Sequence, residues 1–326
     1  MEQYEGKRVL VTGGAGSIGQ EIVRELTERG CAQIRVLDIN ETGLFELENR
    51  LKCDNLRLFI GDIRDKDRLS RAMEDVDVVF HAAALKHVPL CEYNPFEAAK
   101  TNVLGTQTAI DCAIDNNVER FIMISTDKAV NPSNVMGTTK LLAERLTLAA
   151  NYHKGNRRSK FSVVRFGNVL NSRGSLLTTL KQQIENGQDV TLTHKDMTRF
   201  VMSIEEAVTL VLRAGAICQG GEIFILKMDV LRIADLIRVI ADDLGKKHGH
   251  KVDVKTIGIR LGEKLYEELL TDDESLLVED IGDMYVLRQG TAARTRKKKV
   301  VYNSQDCTFL TNAQIRKKLK EIGYLE

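Results

Sequence analysis

The chain has 326 residues, enough to bury a large core and to form one sizeable α/β domain with a smaller lobe. Lysine and arginine number 47 against 46 for aspartate and glutamate, a formal net charge of +1, so no global field directs the protein to nucleic acid or a membrane surface. The six cysteines are scattered with no CxxC pair, which argues against a disulfide frame or a zinc site, and no apolar run approaches the roughly 18 residues of a bilayer span.

The N-terminal MEQYEGKRVLVTGG is charged and enters a strand at once, without a signal-peptide pattern; a soluble, cytoplasmic protein is expected. Arg8–Thr12 reads as a strand, and Ser17–Arg29 as a helix with Ile18, Ile22, Val23 and Leu26 on one face. Ile34–Asp38 is the next strand, Leu44–Lys52 a helix and Leu56–Ile60 a third strand, followed by strands at Val76–His81, Phe121–Ser125 and Phe161–Arg165. This alternation predicts an α/β fold, a Rossmann-type doubly wound parallel sheet, and the near-continuous apolar strands predict helices on both faces. After Gly167 the rhythm loosens, with a helix at Ile204–Gly215, a strand at Glu222–Leu226 and a helix at Ile233–Leu244. Residues 1–167 are therefore expected to form the dinucleotide-binding domain with the catalytic residues, and 168–326 mainly a smaller C-terminal substrate-binding lobe, some of whose elements return to the main sheet. The basic run Arg294–Lys299 reads as a solvated loop or a phosphate-facing surface.

Between the first strand and helix stands Thr12-Gly13-Gly14-Ala15-Gly16-Ser17-Ile18-Gly19. Gly13 and Gly16 permit a tight turn and close approach of backbone to a pyrophosphate, Gly19 lets helix pack on strand, and the helix start at Ser17 and Ile18 offers free N–H groups to phosphate. Asp38, ending the second strand, can accept from a ribose 2′-hydroxyl and repels a 2′-phosphate; with no arginine immediately after it, NAD is favoured over NADP. Asp62, after the third strand, is expected against the adenine edge with Ile63 beside it in the cofactor site, and Ala82 and Ala84 are small enough for backbone to pass close to the cofactor.

The most informative stretch is Ser125-Thr126-Asp127-Lys128, followed by Met136 and, four residues on, Lys140. A hydroxyl at a strand end and a lysine one helical turn beyond a second catalytic position form the layout of a nicotinamide-dependent sugar-modifying site. Met136 stands where a tyrosine would supply a phenolic proton acceptor, and an acid and an amine, Asp127 and Lys128, are added. Such a site is suited to eliminating water as well as to oxidation.

The phrases HAAALKHVPLCEYNPFEAAKTNVLGT (81–106), STDKAVNPSNVMGTTK (125–140), VRFGNVLNSRGS (164–175), DMTRFVMSIEEAV (196–208) and RLGEKLYEELL (260–270) together cover nearly the whole chain. They resemble the nucleotide-sugar 4,6-dehydratases of the polysaccharide-biosynthesis branch of the extended short-chain dehydrogenase/reductase superfamily, in a methionine-bearing variant. The resemblance implies action on UDP-N-acetylglucosamine: C4 is oxidised, water leaves across C5 and C6, and hydride returns at C6. Catalytic roles then fall to Thr126 as a hydrogen-bonding partner of O4, Asp127 as proton relay and Lys128 as a C5 base made neutral by partial desolvation. Lys140 is expected to bind the nicotinamide ribose and to favour the oxidised cofactor electrostatically; Met136 is expected to pack beside the ring, since a thioether performs no acid–base work. The resemblance also places Lys86, Asn168, Arg199, Arg260 and Glu263 against the UDP-sugar, so that 168–326 becomes the nucleotide-sugar lobe. Arg173 fits either the substrate or a structural salt bridge.

His81, His87 and His194 have no metal-ligand spacing and are read as loop histidines; no metal is expected. A homo-oligomer is the default for the superfamily. Two other readings stand beside the dehydratase: a nucleotide-sugar 4-epimerase on the same scaffold, and a non-catalytic NAD-binding protein.

Overall fold

A computed structural model describes residues 2–248, 252–260, 262–288 and 299–325 of the chain. The expectation for the basic run at 294–298 lies outside the described residues; Lys299, at its end, pairs with Asp272 at 2.7 Å.

The first half alternates strands and helices: β1 (Arg8–Thr12), α1 (Ser17–Thr27), β2 (Gln33–Asp38), α2 (Glu41–Leu51), β3 (Leu56–Ile60), α3 (Lys66–Met73), β4 (Val78–His81), α4 (Val88–Tyr93), α5 (Pro95–Ala99), α6 (Gly105–Asp115), β5 (Arg120–Thr126), α7 (Val135–His153) and β6 (Lys160–Phe166). A π-helical turn, Lys100–Leu104, joins α5 to α6. The second half contains β7 (Asn168–Val169), α8 (Leu176–Glu185), β8 (Val190–Leu192), β9 (Thr198–Met202), α9 (Ile204–Ile217), β10 (Glu222–Leu226), β11 (Asp229–Arg232), α10 (Ile233–His248), β12 (Val254–Thr256), β13 (Glu279–Asp280), β14 (Met284–Arg288) and α11 (Asn312–Glu321).

Among the described residues nine strands form one sheet in the order β13-β14-β10-β6-β5-β4-β1-β2-β3. It is parallel from β10 to β3, and β14 adds antiparallel to β10. The order reverses between β1 and β4, the switch point at which doubly wound sheets open a crevice beyond their strand ends. The burial pattern follows from composition: β4 and β10 are buried at every position, because helices cover both faces.

Two apolar clusters fill the two sides of the sheet, one around Val9, Ile22, Val36 and Val211, the other around Leu10, Phe121, Phe161 and Leu148. A third, built from Leu180, Leu236, Ile240 and Ile315, makes the core of a separate lobe from α8, α10 and α11. The short sheets β11-β9-β7 and β12-β8 connect this lobe to the carboxyl end of the main sheet.

Candidate active site

A cavity of about 800 Å³ opens at the carboxyl ends of β1, β2, β4 and β5. Its inner half is shaped by glycine. Gly13 has φ +69°, and a Cβ there would stand 2.5 Å from the Ala83 nitrogen; one on Gly19 would lie 2.3 Å from the Gly13 carbonyl oxygen. The turn therefore presses against both the β4 segment and its own helix, and only glycine fits. Gly14, not singled out from the sequence, is equally tight, since a Cβ there would reach 2.2 Å from Val36 Cγ1.

Gly13, Gly16, Ser17, Ile18 and Gly19 line the cavity with Asp38, Asp62, Ile63, Ala82 and Ala84. Asp38 is held by accepting the backbone N–H groups of Ala15 and Asn40, each at 2.9 Å. Asp62 is tied to Arg64, whose side chain and backbone N–H both donate to it and hold its carboxyl below the ordinary range. A carboxylate at the end of β2 and a glycine cradle open to phosphate match a nicotinamide dinucleotide in shape and charge.

The other half is carried by β5 and α7. Asn134 caps α7, accepting from Gly137 N–H at 2.8 Å, and so starts the helix directly before Met136. Met136 is 4% exposed, packed with Cys91 and Ala98, and lines the cavity. Lys140, one turn on, donates from Nζ to the Ile124 carbonyl at 2.6 Å. Burial pushes its amine down to about 8, against an opposing pull from Glu144. One expectation changes here. Were a nicotinamide bound beside it, an ammonium would repel the positively charged ring, so the charged form of Lys140 would favour acceptance of hydride, not the oxidised cofactor.

Asn102, in the π-helical turn, accepts from Leu85 N–H at 2.8 Å and donates to the Leu85 carbonyl at 3.0 Å and to Thr139 Oγ1 at 3.0 Å. It locks the segment after β4 to α7. His81 is not a loop histidine: it ends β4, is 1% exposed, and bonds Thr12 Oγ1 and Thr106 Oγ1 through its two ring nitrogens. Burial pushes it down to about 3, so it is a neutral core group.

At the end of β5, Thr126 Oγ1 donates to Asp127 Oδ1 at 2.8 Å, and Lys128 Nζ donates to the same oxygen at 3.0 Å and to Asn168 Oδ1 at 3.4 Å. Asp127 is fully buried; Thr126, Lys128 and Asn168 line the cavity. Desolvation was expected to leave Lys128 neutral, and the structure corrects this for the resting site. Burial alone would lower the amine, but the carboxylates of Asp127 and then Glu267, whose Oε1 lies 3.6 Å away, outweigh it and hold the group charged.

The predicted substrate residues separate into three sets. Lys86 and Asn168 line the cavity, and Lys86 Nζ donates to the Arg173 carbonyl at 2.8 Å. The Arg173 N–H in turn donates to Ser17 Oγ at 2.9 Å, so its peptide groups span the cleft; its side chain is engaged in no described salt bridge. Arg260 and Glu263 lie outside the cavity wall, with Glu263 Oε2 accepting the Arg260 N–H at 3.2 Å. Their segment is docked on the start of α7, where the Gly262 carbonyl accepts from Asn134 Nδ2 at 3.0 Å. Arg199 is not on the wall. Its guanidinium is buried, donates to the carbonyls of Thr198, Lys264 and Leu265, and stands 3.7 Å from Glu267. The expected diphosphate contact is replaced by these internal partners.

Sequence reasoning missed Glu267 and the network Ser125–Glu144–Arg165–Glu274, in which Arg165 is buried between Glu144 (2.6 Å) and Glu274 (2.8 Å) beneath β5. A buried arginine inside an apolar strand run was the available signal. Among the described residues no three His, Cys, Asp or Glu side chains are grouped as a metal site, and no helix is long and apolar enough to cross a membrane.

The model of the family described as "Polysaccharide biosynthesis protein" matches residues 9–289. The chain belongs to that family. It lies in the branch of the extended short-chain dehydrogenase/reductases that contains UDP-N-acetylglucosamine 4,6-dehydratases. It is 62% identical over 325 residues to a Methanocaldococcus jannaschii protein named as an uncharacterized membrane protein, covering 99% of this chain and 98% of the other. It is 43% identical over 286 residues to an inverting UDP-N-acetylglucosamine 4,6-dehydratase of Campylobacter jejuni, covering 87% and 83%. A UDP-glucose 4-epimerase of Rickettsia canadensis is 39% identical over 286 residues, covering 86% and 83%. Among solved structures, that of Pen from Bacillus thuringiensis superposes with a TM-score of 0.93 at 40% identity, covering 98% of each chain. Relatives of this kind are enzymes of the dehydratase and epimerase type, and so is this chain.

Proposed function

We propose that the protein is an NAD-dependent UDP-N-acetylglucosamine 4,6-dehydratase, a hydro-lyase that makes a UDP-4-keto-6-deoxy-N-acetylhexosamine. The observation that carries this reading is the carboxylate–ammonium pair of Asp127 and Lys128, 3.0 Å apart at the edge of a cleft where Met136 replaces a phenol. A 4-epimerase needs a proton acceptor for one hydroxyl and no second acid–base group. An elimination needs both, one at C5 and one at the departing C6 oxygen.

The glycine cradle and Asp38 fit a dinucleotide without a 2′-phosphate, and Lys140 stands where it can hold the nicotinamide ribose. When bound, the nicotinamide supplies a hydride acceptor for C4 and a hydride donor for C6. Thr126 orients O4 while Asp127 takes the C4 hydroxyl proton. The new ketone acidifies C5–H, and Lys128 removes that proton. Asp127 then releases its proton to the C6 oxygen, which leaves as water. Asp127 is regenerated within the cycle, so one carboxyl group serves both steps. Lys86, Asn168, Arg260 and Glu263 are assigned to the nucleotide sugar, the last two from a segment outside the cavity wall, and a homo-oligomer is the assembly we expect.

The test is NMR of UDP-N-acetylglucosamine turnover in deuterated water. A 4-keto-6-deoxy product carrying deuterium at C5 supports the dehydratase. A C4 epimer without deuterium at C5 would replace it with the epimerase reading, which the Rickettsia relative favours. Dinucleotide binding with no sugar turnover would leave a non-catalytic protein.

A further inference from the structure

Glu267 lies beside Lys128 but does not line the cleft. It is 2% exposed, its Oε1 stands 3.6 Å from Lys128 Nζ and 3.7 Å from Arg199 Nε, and among the described residues its Oε2 is buried with no hydrogen-bond partner. The backbone around it is fixed: Glu267 N–H donates to Ser304 Oγ at 2.9 Å, and the Ser304 N–H donates to the Glu267 carbonyl at 2.8 Å. A buried carboxylate with an unsatisfied oxygen is costly, and the cost falls when it takes a proton.

The charged site leaves a gap in the chemistry. Lys128 can remove the C5 proton only as a free amine, yet it rests as an ammonium. Lys128 lines the cleft and its side chain is 24% exposed, so solvent reaches the amine, but neutral water is a far weaker base than a carboxylate and does not readily take a proton from an ammonium held by two carboxylates. Resting on the dehydratase reading, we infer that Glu267 is the residue that takes the Lys128 ammonium proton before elimination and returns it afterwards, acting on the substrate only through Lys128.

The protons balance. At the start Asp127 and Glu267 are carboxylates and Lys128 is an ammonium. The C4 hydroxyl proton moves to Asp127, which removes the charge that does most to hold Lys128 protonated. A shift of roughly 0.7 Å brings Lys128 and Glu267 to hydrogen-bond length, and the ammonium proton crosses to Glu267. The amine electron pair takes the C5 proton; the C6–O bond breaks, and the Asp127 proton leaves with that oxygen as water. Lys128 returns a proton to C5 as hydride arrives at C6, and Glu267 passes its proton back to Lys128. Each group ends as it began.

The groups facing Glu267 are consistent with this. Burial raises its affinity for a proton; Lys128 opposes that, Asp127 reinforces it, and Arg199 and Lys264 oppose it more weakly. Lys264 is itself engaged by the Val130 carbonyl at 3.0 Å and by Glu268 at 3.7 Å.

The test compares wild type with Glu267→Gln and Glu267→Asp, following reduced nicotinamide by absorbance in a single turnover and dehydrated product with C5 deuterium by NMR. In Glu267→Gln, C4 oxidation is expected to stay within about threefold of wild type while elimination falls on the order of 10²-fold. That deficit shrinks as pH rises, because hydroxide then strips the ammonium directly, and Glu267→Asp recovers part of the rate. The retained oxidation step also reports that the variant is folded. Elimination at the wild-type rate in Glu267→Gln would overturn the inference, as would an equal loss of both steps with an unchanged pH profile. Failure of the wild type itself to form a dehydrated sugar would overturn the dehydratase reading instead, and is visible before any variant is made.

Discussion

The Lys128 amine donates to Oδ1 of Asp127, while Oδ2 of the same carboxylate is buried and, among the described residues, has no hydrogen-bond partner. One oxygen is thus committed to holding the amine and the other is available for a proton. Gly167 borders that second oxygen, where a Cβ would come within 3.2 Å of Oδ2.

Asp127→Asn is therefore expected to lower turnover by about 10²-fold or more, because an amide cannot accept the C4 hydroxyl proton. C4 oxidation should fail with it, so no reduced nicotinamide accumulates in a stopped-flow trace. Turnover within a few-fold of wild type would remove the single-carboxyl relay.

Met136 is assigned packing and no chemistry. Met136→Leu should keep kcat within a few-fold and cost less than about 1.5 kcal/mol in denaturant unfolding. Met136→Tyr should destabilise by about 1–3 kcal/mol, because the larger ring must enter a pocket closed by Cys91 and Ala98. A large gain in turnover from the introduced phenol would show that a proton acceptor was missing at this position.

Lys140 gives a pH signature with a definite sign. Its folded value of about 8 lies below the ordinary 10.5, so the folded state disfavours the ammonium. Below about pH 8 that penalty is present in full; it is relieved as pH rises from there toward 10.5, where the unfolded chain still binds the proton and the folded chain does not. The stability difference between wild type and Lys140→Met, read from thermal melts, should move in favour of wild type across that window. A flat difference would mean the amine is not desolvated.

Asp38→Asn removes the negative charge and keeps one of the two oxygens that accept from Ala15 and Asn40, so one of those N–H groups loses its acceptor. The preference for NAD over NADP that we propose should fall by about tenfold or more, mostly through tighter NADP binding. Calorimetric titration of both dinucleotides measures it, and an unchanged ratio would locate the discrimination elsewhere.

The central strands were legible because burial on both faces writes them as short apolar runs; Glu222–Leu226 matches residue for residue, and so does the edge strand Leu56–Ile60, which is only partly buried but still rich in apolar residues. Helices such as α3 and α6 were not read, since their buried faces are carried by scattered residues such as Leu69, Ala109 and Ala113. Local spacing was enough to assemble the glycine turn and the Thr126–Lys140 segment. The distant partners were not legible in the same way. Glu267 reaches Lys128 from 139 positions further along the chain, and Arg199 turns inward because three carbonyls meet it there. The charge state of Lys128 depends on those contacts, so reasoning from burial alone gave it the wrong sign.

The peptide of Arg173 is gripped on one side by Ser17 and on the other by Lys86, which belong to opposite banks of the groove. A dinucleotide bound along the glycine turn, as we propose, would lie close to that bridge, and its release would be slowed if the bridge had to open. The dehydratase proposed above would return its hydride every cycle and need no fresh coenzyme, so slow release would be no handicap to it. Purified protein should accordingly carry its own nucleotide through dialysis, and Ser17→Ala should shed it faster.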